Sequence, residues 1–477
     1  MVNKESSTKK TNTEKLFHQF KNAWVDLSDK DKENTFQMAE EYKKFLDIGK
    51  TERECASEII TMAKNNGFKN IEELIANKTP LKPGMKIFAS FKEKTVALFI
   101  TGKESIEAGM NIIGSHIDSP RLDLKGSPLY EDAELALLKT HYYGGIKKYQ
   151  WAAIPLALHG VIVKRDGNKT TISIGEADDD PVFVVSDILP HLGKDQAAKK
   201  ASEAITGEQL NVIIGNIPMN DKKVKEHIKL NILSILKEKY QIEEEDFISA
   251  EIEVVPAGKA KDAGLDRSLI LAYGHDDRVS AFPSLKSIFE TKNPSKMAVA
   301  LFTDKEEIGS VGNTGMCSAF FDNTVAELIA LEKQNYNELY LRRALAKSKV
   351  LYADVNAGFD PSFPDVFDKK NSSYMGKGVI LTKFTGSRGK SDANDAHAEF
   401  IGKIKNLFSA NDIVWQASEL GKVDAGGGGT IAYILANKGA DVIDCGVAVL
   451  NMHAPFELIS KVDLFMAYKA YKVFLQN

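Results

Sequence analysis

Two adjacent carboxylates follow a short apolar run near the middle of the chain. The run Met297-Ala298-Val299-Ala300-Leu301-Phe302 has the composition of a buried strand, and Glu306 and Glu307 follow it, just before Gly309. Functional sites in open α/β sheets lie where strands end, and adjacent side chains there point in different directions. We interpret Glu307 as a metal ligand and Glu306 as a general base. Taken alone, such a pair is more often a solvated loop.

Four other apolar runs lead to residues of the same chemical kind. They end near His116, Asp277, Asp354 and His453. We expect five strands of one mainly parallel sheet to bring these side chains and the glutamate pair to a single edge of that sheet. Because a dinuclear metal site needs about this many nitrogen and oxygen donors, the pattern predicts one.

The donors can be divided between two cations. Two nearby cations repel each other, so a carboxylate must bridge them, and Asp277 is the natural bridge. We expect His116 and Asp354 on one metal and Glu307 and His453 on the other. Imidazole and carboxylate ligands favour zinc, and cobalt or manganese would also fit.

Neighbouring residues are expected to support this site. Asp118 lies two residues after His116 on the same strand face and can orient it, and His275 is placed in the same way beside Asp277. A glycine-rich run that includes Gly428 and Thr430 lacks Gly-Lys-Ser/Thr and the spacing of a dinucleotide fingerprint. We interpret that run as backbone that approaches a substrate closely.

The elements around these residues predict an α/β fold in which helices flank the mainly parallel central sheet. Apolar residues at helical spacing between Thr13 and Lys50 predict two helices separated by a cap at Ser28, and a third helix is expected over residues 51–65. From 121 to 256 the pattern changes to short β-type runs with one charged helix at 220–239. A last helix is expected at 458–475.

Composition excludes several classes of function. A net charge of −4 over 477 residues leaves no basic surface for nucleic acid, and no run is long and apolar enough to span a membrane. The three cysteines are scattered, which indicates reduced thiols that fill the core. We expect a cytoplasmic protein.

Taken together, the motifs resemble those of the aspartyl aminopeptidase and aminopeptidase I family of cytosolic metallopeptidases. The segments that carry the resemblance are Gly114-Ser115-His116-Ile117-Asp118-Ser119-Pro120, Asp276-Asp277-Arg278, Glu306-Glu307-Ile308-Gly309-Ser310, Ala353-Asp354 and Met452-His453. The resemblance implies a catalytic domain made of residues 1–120 and 257–477, with a β-rich dimerisation domain inserted at 121–256. It also implies a dodecamer built from dimers, with its sites facing an internal cavity.

The resemblance assigns further residues. His191 matches a histidine that reaches into the site of a neighbouring subunit, and Lys377 matches a lysine near the substrate pocket. The family also implies a cis peptide bond after the bridging aspartate, here between Asp277 and Arg278.

The expected activity is removal of the N-terminal residue from peptides with a free N terminus. Acid-preferring members of the family carry a histidine where this chain has Ala357, so both acidic residues and neutral apolar ones such as leucine stay open as substrates. The alternatives are a deblocking aminopeptidase or an amidohydrolase of a related dinuclear-zinc type, and a shell-forming protein without catalysis.

Overall fold

The structure is a computed structural model that describes residue 16 and residues 19–221, 223–391 and 393–477. The helices are α1 (Asp29–Ile48), α2 (Glu52–Asn65), α3 (Ile71–Ala76), α4 (Lys194–Ala197), α5 (Ala201–Ala204), α6 (His227–Tyr240), α7 (His275–Glu290), α8 (Phe320–Glu332), α9 (Glu338–Ala346), α10 (Ala398–Ala410), α11 (Ala432–Ala436) and α12 (Lys461–Gln476).

The strands form three sheets. They are β1 (Lys69–Asn70), β2 (Lys86–Phe91), β3 (Thr95–Ile100), β4 (Met110–His116), β5 (Arg121–Asp132), β6 (Leu135–Tyr143), β7 (Leu156–Val163), β8 (Lys169–Ile174), β9 (Val184–Val185), β10 (Val212–Gly215), β11 (Ala250–Pro256), β12 (Lys261–Ala263), β13 (Leu269–Ala272), β14 (Met297–Thr303), β15 (Lys349–Tyr352), β16 (Asn356–Ala357), β17 (Val379–Thr382), β18 (Trp415–Ala417), β19 (Asp441–Gly446), β20 (Ala448–Leu450) and β21 (Glu457–Ser460).

The first helices begin at side-chain caps. The Ser28 hydroxyl accepts a hydrogen bond from the backbone N–H of Asp31 and starts α1. Thr51 and Glu54 form a capping box that starts α2, close to the predicted position. The helix predicted before Ser28 is not present over residues 19–28, which lie in turns and extended backbone. Its beginning at Thr13 lies outside the described residues.

The largest sheet has nine strands in the order β1-β2-β3-β14-β4-β15-β19-β17-β18. Its central strands β14, β4, β15 and β19 run parallel, whereas β3 pairs antiparallel with β14 and β17 pairs antiparallel with β19. The α/β architecture is therefore confirmed, and the sheet is mixed. The parallel centre places the ends of β4, β14 and β15 at one edge, as the site requires.

Both faces of this sheet are covered by helices. Helices α1, α2, α7, α10 and α12 pack on one face, and α3, α8, α9 and α11 pack on the other. Adjacent side chains of β4 alternate between the two cores, with Ile113 in the first and Ile112 in the second, and both are completely buried. A strand buried on both faces explains why β4 reads as a continuous apolar run.

A second sheet has seven strands, in the order β8-β7-β11-β5-β6-β10-β9, and all of them come from residues 121–256. Its pairings are antiparallel, and α6 packs on one side of it over its own apolar cluster. The charged helix predicted in this region corresponds to α6. The division into two domains and the dimerisation role stay predictions.

A third sheet of five strands, β12-β13-β21-β20-β16, corrects the expectation of one common edge. β13 leads to the Asp276-Asp277 pair and β20 leads to His453, and both strands belong to this smaller sheet. The apolar run that leads to His453 divides into β19 and β20, and the predicted terminal helix begins later because residues 458–460 belong to β21. The site therefore lies between two sheets.

No helix in the described part of the chain is both long enough and apolar enough to cross a lipid bilayer. Cys55, Cys317 and Cys445 are unpaired, as predicted. Cys55 and Cys445 are buried, whereas Cys317 is exposed, so the prediction that all three fill the core is wrong for Cys317.

Candidate metal centre

The glutamate pair lies in a short turn at the end of β14. Glu306 and Glu307 begin a 3-10 turn, and the turn is flanked by Lys305 with φ 68° and Gly309 with φ 92°. The backbone N–H groups of Glu306 and Glu307 both donate to the carboxylate of Asp118, each over 3.2 Å. Asp118 thus fixes the backbone that carries both glutamate side chains.

The same aspartate faces His116 at the end of β4. His116 Nδ1 lies 3.1 Å from the backbone oxygen of Asp118 and 3.3 Å from its carboxylate. The Tyr143 hydroxyl donates to the other carboxylate oxygen over 2.9 Å. With Nδ1 held in this way, Nε2 of His116 is the atom that faces the candidate ligands.

The Asp276-Asp277 pair lies at the non-helical start of α7, where adjacent side chains diverge. One oxygen of Asp276 lies 3.1 Å from His116 Nε2, and the other lies 3.3 Å from His453 Nε2. Asp277 instead accepts a bond from the backbone N–H of His116 over 3.4 Å. The contacts thus place Asp276, and not the expected Asp277, between the two histidines.

The cis peptide bond also differs from the expectation. It joins Asp276 to Asp277, whereas the sequence interpretation placed it between Asp277 and Arg278.

His453 closes the other side of the cluster. Its Nε2 lies 3.4 Å from Glu307 as well as near Asp276, and its Nδ1 lies 2.9 Å from the carbonyl oxygen of Gly145. The buried carboxylate of Glu457 accepts from the backbone N–H groups of both His453 and Asp276, over 2.7 and 2.9 Å. Glu457 therefore aligns two candidate ligands at once.

Two groups of side chains have the spacing that a metal ion needs. One contains His116, Asp276 and Glu307, and the other contains His116, Asp277 and Asp354. Burial raises the pKa of Glu307 and of Asp354 well above their usual values. One carboxylate oxygen each of Glu307 and Asp277 is buried without a hydrogen-bond donor among the described residues. Buried carboxylates with unsatisfied oxygens fit divalent cations as their partners.

Glu306 lies at the edge of this cluster. Its carboxylate is 3.9 Å from His116 Nε2, and its side chain is 15% exposed. Burial raises the pKa of Glu306 to about 7, with a smaller opposing effect from His116. A carboxylate with such a pKa can accept and return a proton near neutral pH.

The other predicted site residues are less closely connected to the cluster. His275 is buried, hydrogen-bonded to the Tyr42 hydroxyl and the Ile270 carbonyl, and burial lowers its pKa to about 3. The Thr430 hydroxyl donates to the buried Asp444 over 2.6 Å, and the Gly428 carbonyl accepts from Gly386. No hydrogen bond joins these three residues to the candidate ligands within the described chain.

Lys377 and His191 lie on different parts of the molecule. Lys377 is partly buried just before β17, with its Nζ 4.7 Å from the centre of the Tyr374 ring. Because β17 is antiparallel to β19, its start lies at the edge of the sheet where β15 and β19 end. His191 is exposed on a turn of the 121–256 segment.

Sequence reasoning missed three positions that the site uses. The sequence did not connect Glu457, Tyr143 or Gly145 with the metal ligands. Glu457 lies four residues after His453, which was the available signal. Tyr143 and Gly145 contact their partners from another sheet, and no spacing in the sequence indicates that contact.

Comparison with known proteins shows the family to which the chain belongs. The family model described as aminopeptidase I zinc metalloprotease (M18) matches residues 45–475. The chain is 53% identical over 462 residues to a probable M18 family aminopeptidase 1 of Clostridium acetobutylicum, covering 97% of this chain and 99% of that protein. The crystal structure of an M18 family aminopeptidase from Thermotoga maritima superposes with a TM-score of 0.92 at 43% identity, over 96% of this chain and 100% of that chain.

The fold extends to more distant proteins. The S. cerevisiae mApe1 dodecamer structure has a TM-score of 0.75 at 20% identity, over 93% of this chain and 97% of that chain. At that identity the likeness concerns the fold alone. From the family model and the bacterial relative, the chain belongs to the M18 family of aminopeptidase I zinc metalloproteases, which are hydrolases.

Proposed function

We propose that the chain is an aminopeptidase that removes the N-terminal residue of peptides with the help of two divalent cations, for which zinc is the best candidate. The observation that carries the proposal is the cluster of His116, Asp276, Glu307 and His453, with Glu306 beside it. Membership of a zinc metalloprotease family supports zinc over cobalt or manganese.

In this proposal Asp276 would be shared by the two cations. His116 and Asp354 would hold one of them, Glu307 and His453 would hold the other, and Asp277 lies beside the first group. Both oxygens of Asp276 already face a histidine, which supports its role as the bridge. When bound, the two cations would lower the pKa of a water molecule and stabilise negative charge on the substrate carbonyl.

Glu306 acts as the general base. Its carboxylate takes the proton of the attacking water and returns it to the leaving amine. Asp118 keeps Glu306 and Glu307 in place through their backbone N–H groups and orients His116. His275 hydrogen-bonds to the Tyr42 hydroxyl and the Ile270 carbonyl and not to a candidate ligand, so we assign it to the core.

The preferred N-terminal residue is either acidic or neutral and apolar. Lys377 lies at the sheet edge where the site is built, and it could pair with a substrate carboxylate. Ala357 offers no second cation at the position where acid-preferring relatives carry a histidine. Gly428 and Thr430 are kept as candidates for backbone contact with the substrate.

We further propose a homo-oligomer, a dodecamer built from dimers, in which the seven-stranded sheet pairs subunits. Ile188, Leu189 and Leu192 surround His191 and are 47, 50 and 69% exposed. Exposed apolar side chains in one turn are typical of a surface that another protein covers. The cytoplasmic location remains a prediction from the unpaired cysteines.

The test measures initial rates on peptides that differ only at the N-terminal residue, with Asp, Glu and Leu among them. Each is assayed with zinc, with a chelator as the blank, and in an N-acetylated form. We expect release from free amines only. The E306Q variant should bind as much zinc as the wild type and lose about 10²- to 10⁴-fold in kcat, because only the proton acceptor is removed.

Other results would favour the alternatives. Cleavage of the acetylated peptides would indicate a deblocking enzyme or an amidohydrolase. No cleavage of any peptide by a zinc-loaded wild type would indicate a shell-forming protein without catalysis. Normal turnover by E306Q would contradict the assignment of the base.

A further inference from the structure

A short segment at the end of β6 contacts the candidate metal centre at three points. We propose that Tyr143, Gly144 and Gly145, which we call the site strap, position the metal ligands and the general base, with Tyr143 as a positioning residue for the reaction. The inference rests on the proposed function and adds residues from the 121–256 segment to that site.

The first contact is made by Tyr143, the last residue of β6. Its hydroxyl donates to Asp118 over 2.9 Å, on the same oxygen that accepts the backbone N–H of Glu307. Asp118 is completely buried, so this carboxylate has no water to replace a lost donor. Loss of the hydroxyl would therefore let Asp118 rotate, and the turn that carries Glu306 would rotate with it.

The ring of Tyr143 is itself held in place. Tyr143 pairs with Arg121 across β5 and β6, and the guanidinium of Arg121 lies 3.9 Å from the centre of the tyrosine ring. Arg121 is ion-paired to Glu52 at the start of α2 and to Glu253 on β11. The hydroxyl is thus presented to Asp118 from a fixed ring, which is what a positioning role requires.

The second contact is made by Gly145 at the other histidine. Its carbonyl oxygen lies 2.9 Å from His453 Nδ1, which directs Nε2 towards Asp276 and Glu307. A hydrogen bond from the second ring nitrogen to a carbonyl is a common way to fix the orientation of a histidine that binds metal.

The third contact is packing at Gly144. Its φ is 74°, and a Cβ there would lie 3.3 Å from Pro120 and 3.4 Å from the Cβ of Glu307. A glycine permits both the backbone conformation and the close approach to the turn. The strap therefore contacts the segments that follow β4, β14 and β20, the three strands that lead to His116, Glu307 and His453.

The test uses Y143F, which removes only the hydroxyl, with Y142F as the matched control. Tyr142 is 42% exposed and stacks on His141, and its hydroxyl makes no hydrogen bond within the described chain. Zinc affinity of the full-length protein is measured by competition with a chelator, and kcat and KM are measured separately at saturating zinc. Unfolding temperatures of both metal-free variants show that each is folded.

We expect Y143F to bind zinc about 10- to 100-fold more weakly, as is typical when a residue behind a metal ligand is lost. Its kcat should fall about tenfold, because Glu306 is displaced, whereas KM should stay within about twofold. Y142F should match the wild type in all three quantities.

Several outcomes would separate this inference from the proposed function. If the wild type cleaves peptides and Y143F equals Y142F in zinc affinity and kcat, the strap has no positioning role. A change in KM alone would contradict it as well. If the wild type cleaves nothing but Y143F still binds zinc more weakly, the strap stands and the peptidase assignment fails. A wild type that binds no zinc would overturn both.

Discussion

The two histidines of the site are oriented by different partners to the same effect. Nδ1 of His116 faces Asp118, and Nδ1 of His453 faces the carbonyl of Gly145. In both cases Nε2 points at the carboxylate of Asp276. A bridging ligand needs a carboxylate that faces two oriented imidazoles. Asp276 has this arrangement and the adjacent Asp277 does not, so the two aspartates are not equivalent.

This inequality can be tested by replacing each aspartate with its isosteric amide. We expect D276N to hold about one zinc ion per chain where the wild type holds two, with kcat reduced at least about 10²-fold, because an amide bridges two cations poorly. D277N should keep both ions, with weaker affinity. Zinc content is measured by elemental analysis after dialysis against the same free zinc concentration.

The two variants serve as controls for each other, since each removes one negative charge from the same turn. If D277N loses an ion and D276N keeps both, the bridge is Asp277, as the sequence alone suggested.

The sequence could indicate the residue types and the strand ends. It could not indicate which of two adjacent carboxylates faces the histidines, because that depends on backbone angles at the start of α7.

At the scale of elements, the backbone leaves the nine-stranded sheet and enters the five-stranded sheet between β19 and β20. β19 ends at Gly446 in the nine-stranded sheet, and β20 begins two residues later in the five-stranded sheet. A Cβ on Gly446 would lie 1.8 Å from the carbonyl oxygen of Asp354. The crossing thus depends on a close approach to the backbone of a candidate ligand.

Replacement of Gly446 by alanine should therefore disturb the site through the backbone. We expect G446A to displace Asp354, to weaken zinc binding by about tenfold or more, and to lower the unfolding temperature, because the contact is backbone to backbone and cannot be relieved by rotating a side chain. Chelator competition and thermal unfolding of the metal-free protein measure the two effects.

Gly402 provides the matched control. It lies within α10, where a Cβ would meet nothing within 4 Å. G402A should leave zinc binding unchanged and stabilise the protein by up to about 1 kcal/mol, because alanine favours the helix. Equal behaviour of G446A and G402A would show that the crossing tolerates a side chain.

The same crossing explains why the apolar run before His453 was interpreted as a single strand. The apolar pattern continues through Gly446, and the change of sheet depends on Asp354, which is far away in the sequence. Elements that are determined by their own sequence pattern were predicted, such as α2, which begins at the Thr51 and Glu54 capping box. Assignment of strands to sheets needs contacts that periodicity does not contain.

At the scale of the whole molecule, α2 connects the nine-stranded and seven-stranded sheets. His159 on β7 is buried, with Nδ1 2.8 Å from Glu54 of α2 and Nε2 3.2 Å from Glu176. Lys50 lies 3.7 Å from Glu176. Glu253 lies opposite His159 in the sheet, but its carboxylate is ion-paired with Arg121. Sequence alone does not indicate this contact of Glu54, because its partner belongs to the 121–256 segment.

This contact predicts a pH-dependent stability. Burial opposes charge on His159, but Glu176 and Glu54 outweigh it and raise its pKa to about 9. Since the folded pKa lies above the unfolded value of about 6.5, the stabilisation is fully present below about pH 6.5 and is lost as pH rises through about 9. Its upper bound is roughly 3 kcal/mol.

The variant H159Q should remove this contribution. Unfolding temperatures of metal-free wild type and H159Q should differ by about 3 °C at pH 6 and should converge near pH 10. The matched control is H397Q, because His397 is exposed at the start of α10 and its side chain makes no capping bond. H397Q should follow the wild type at every pH. A difference for H159Q that is as large at pH 10 as at pH 6 would mean that His159 stabilises the contact between α2 and the seven-stranded sheet by packing and not by charge.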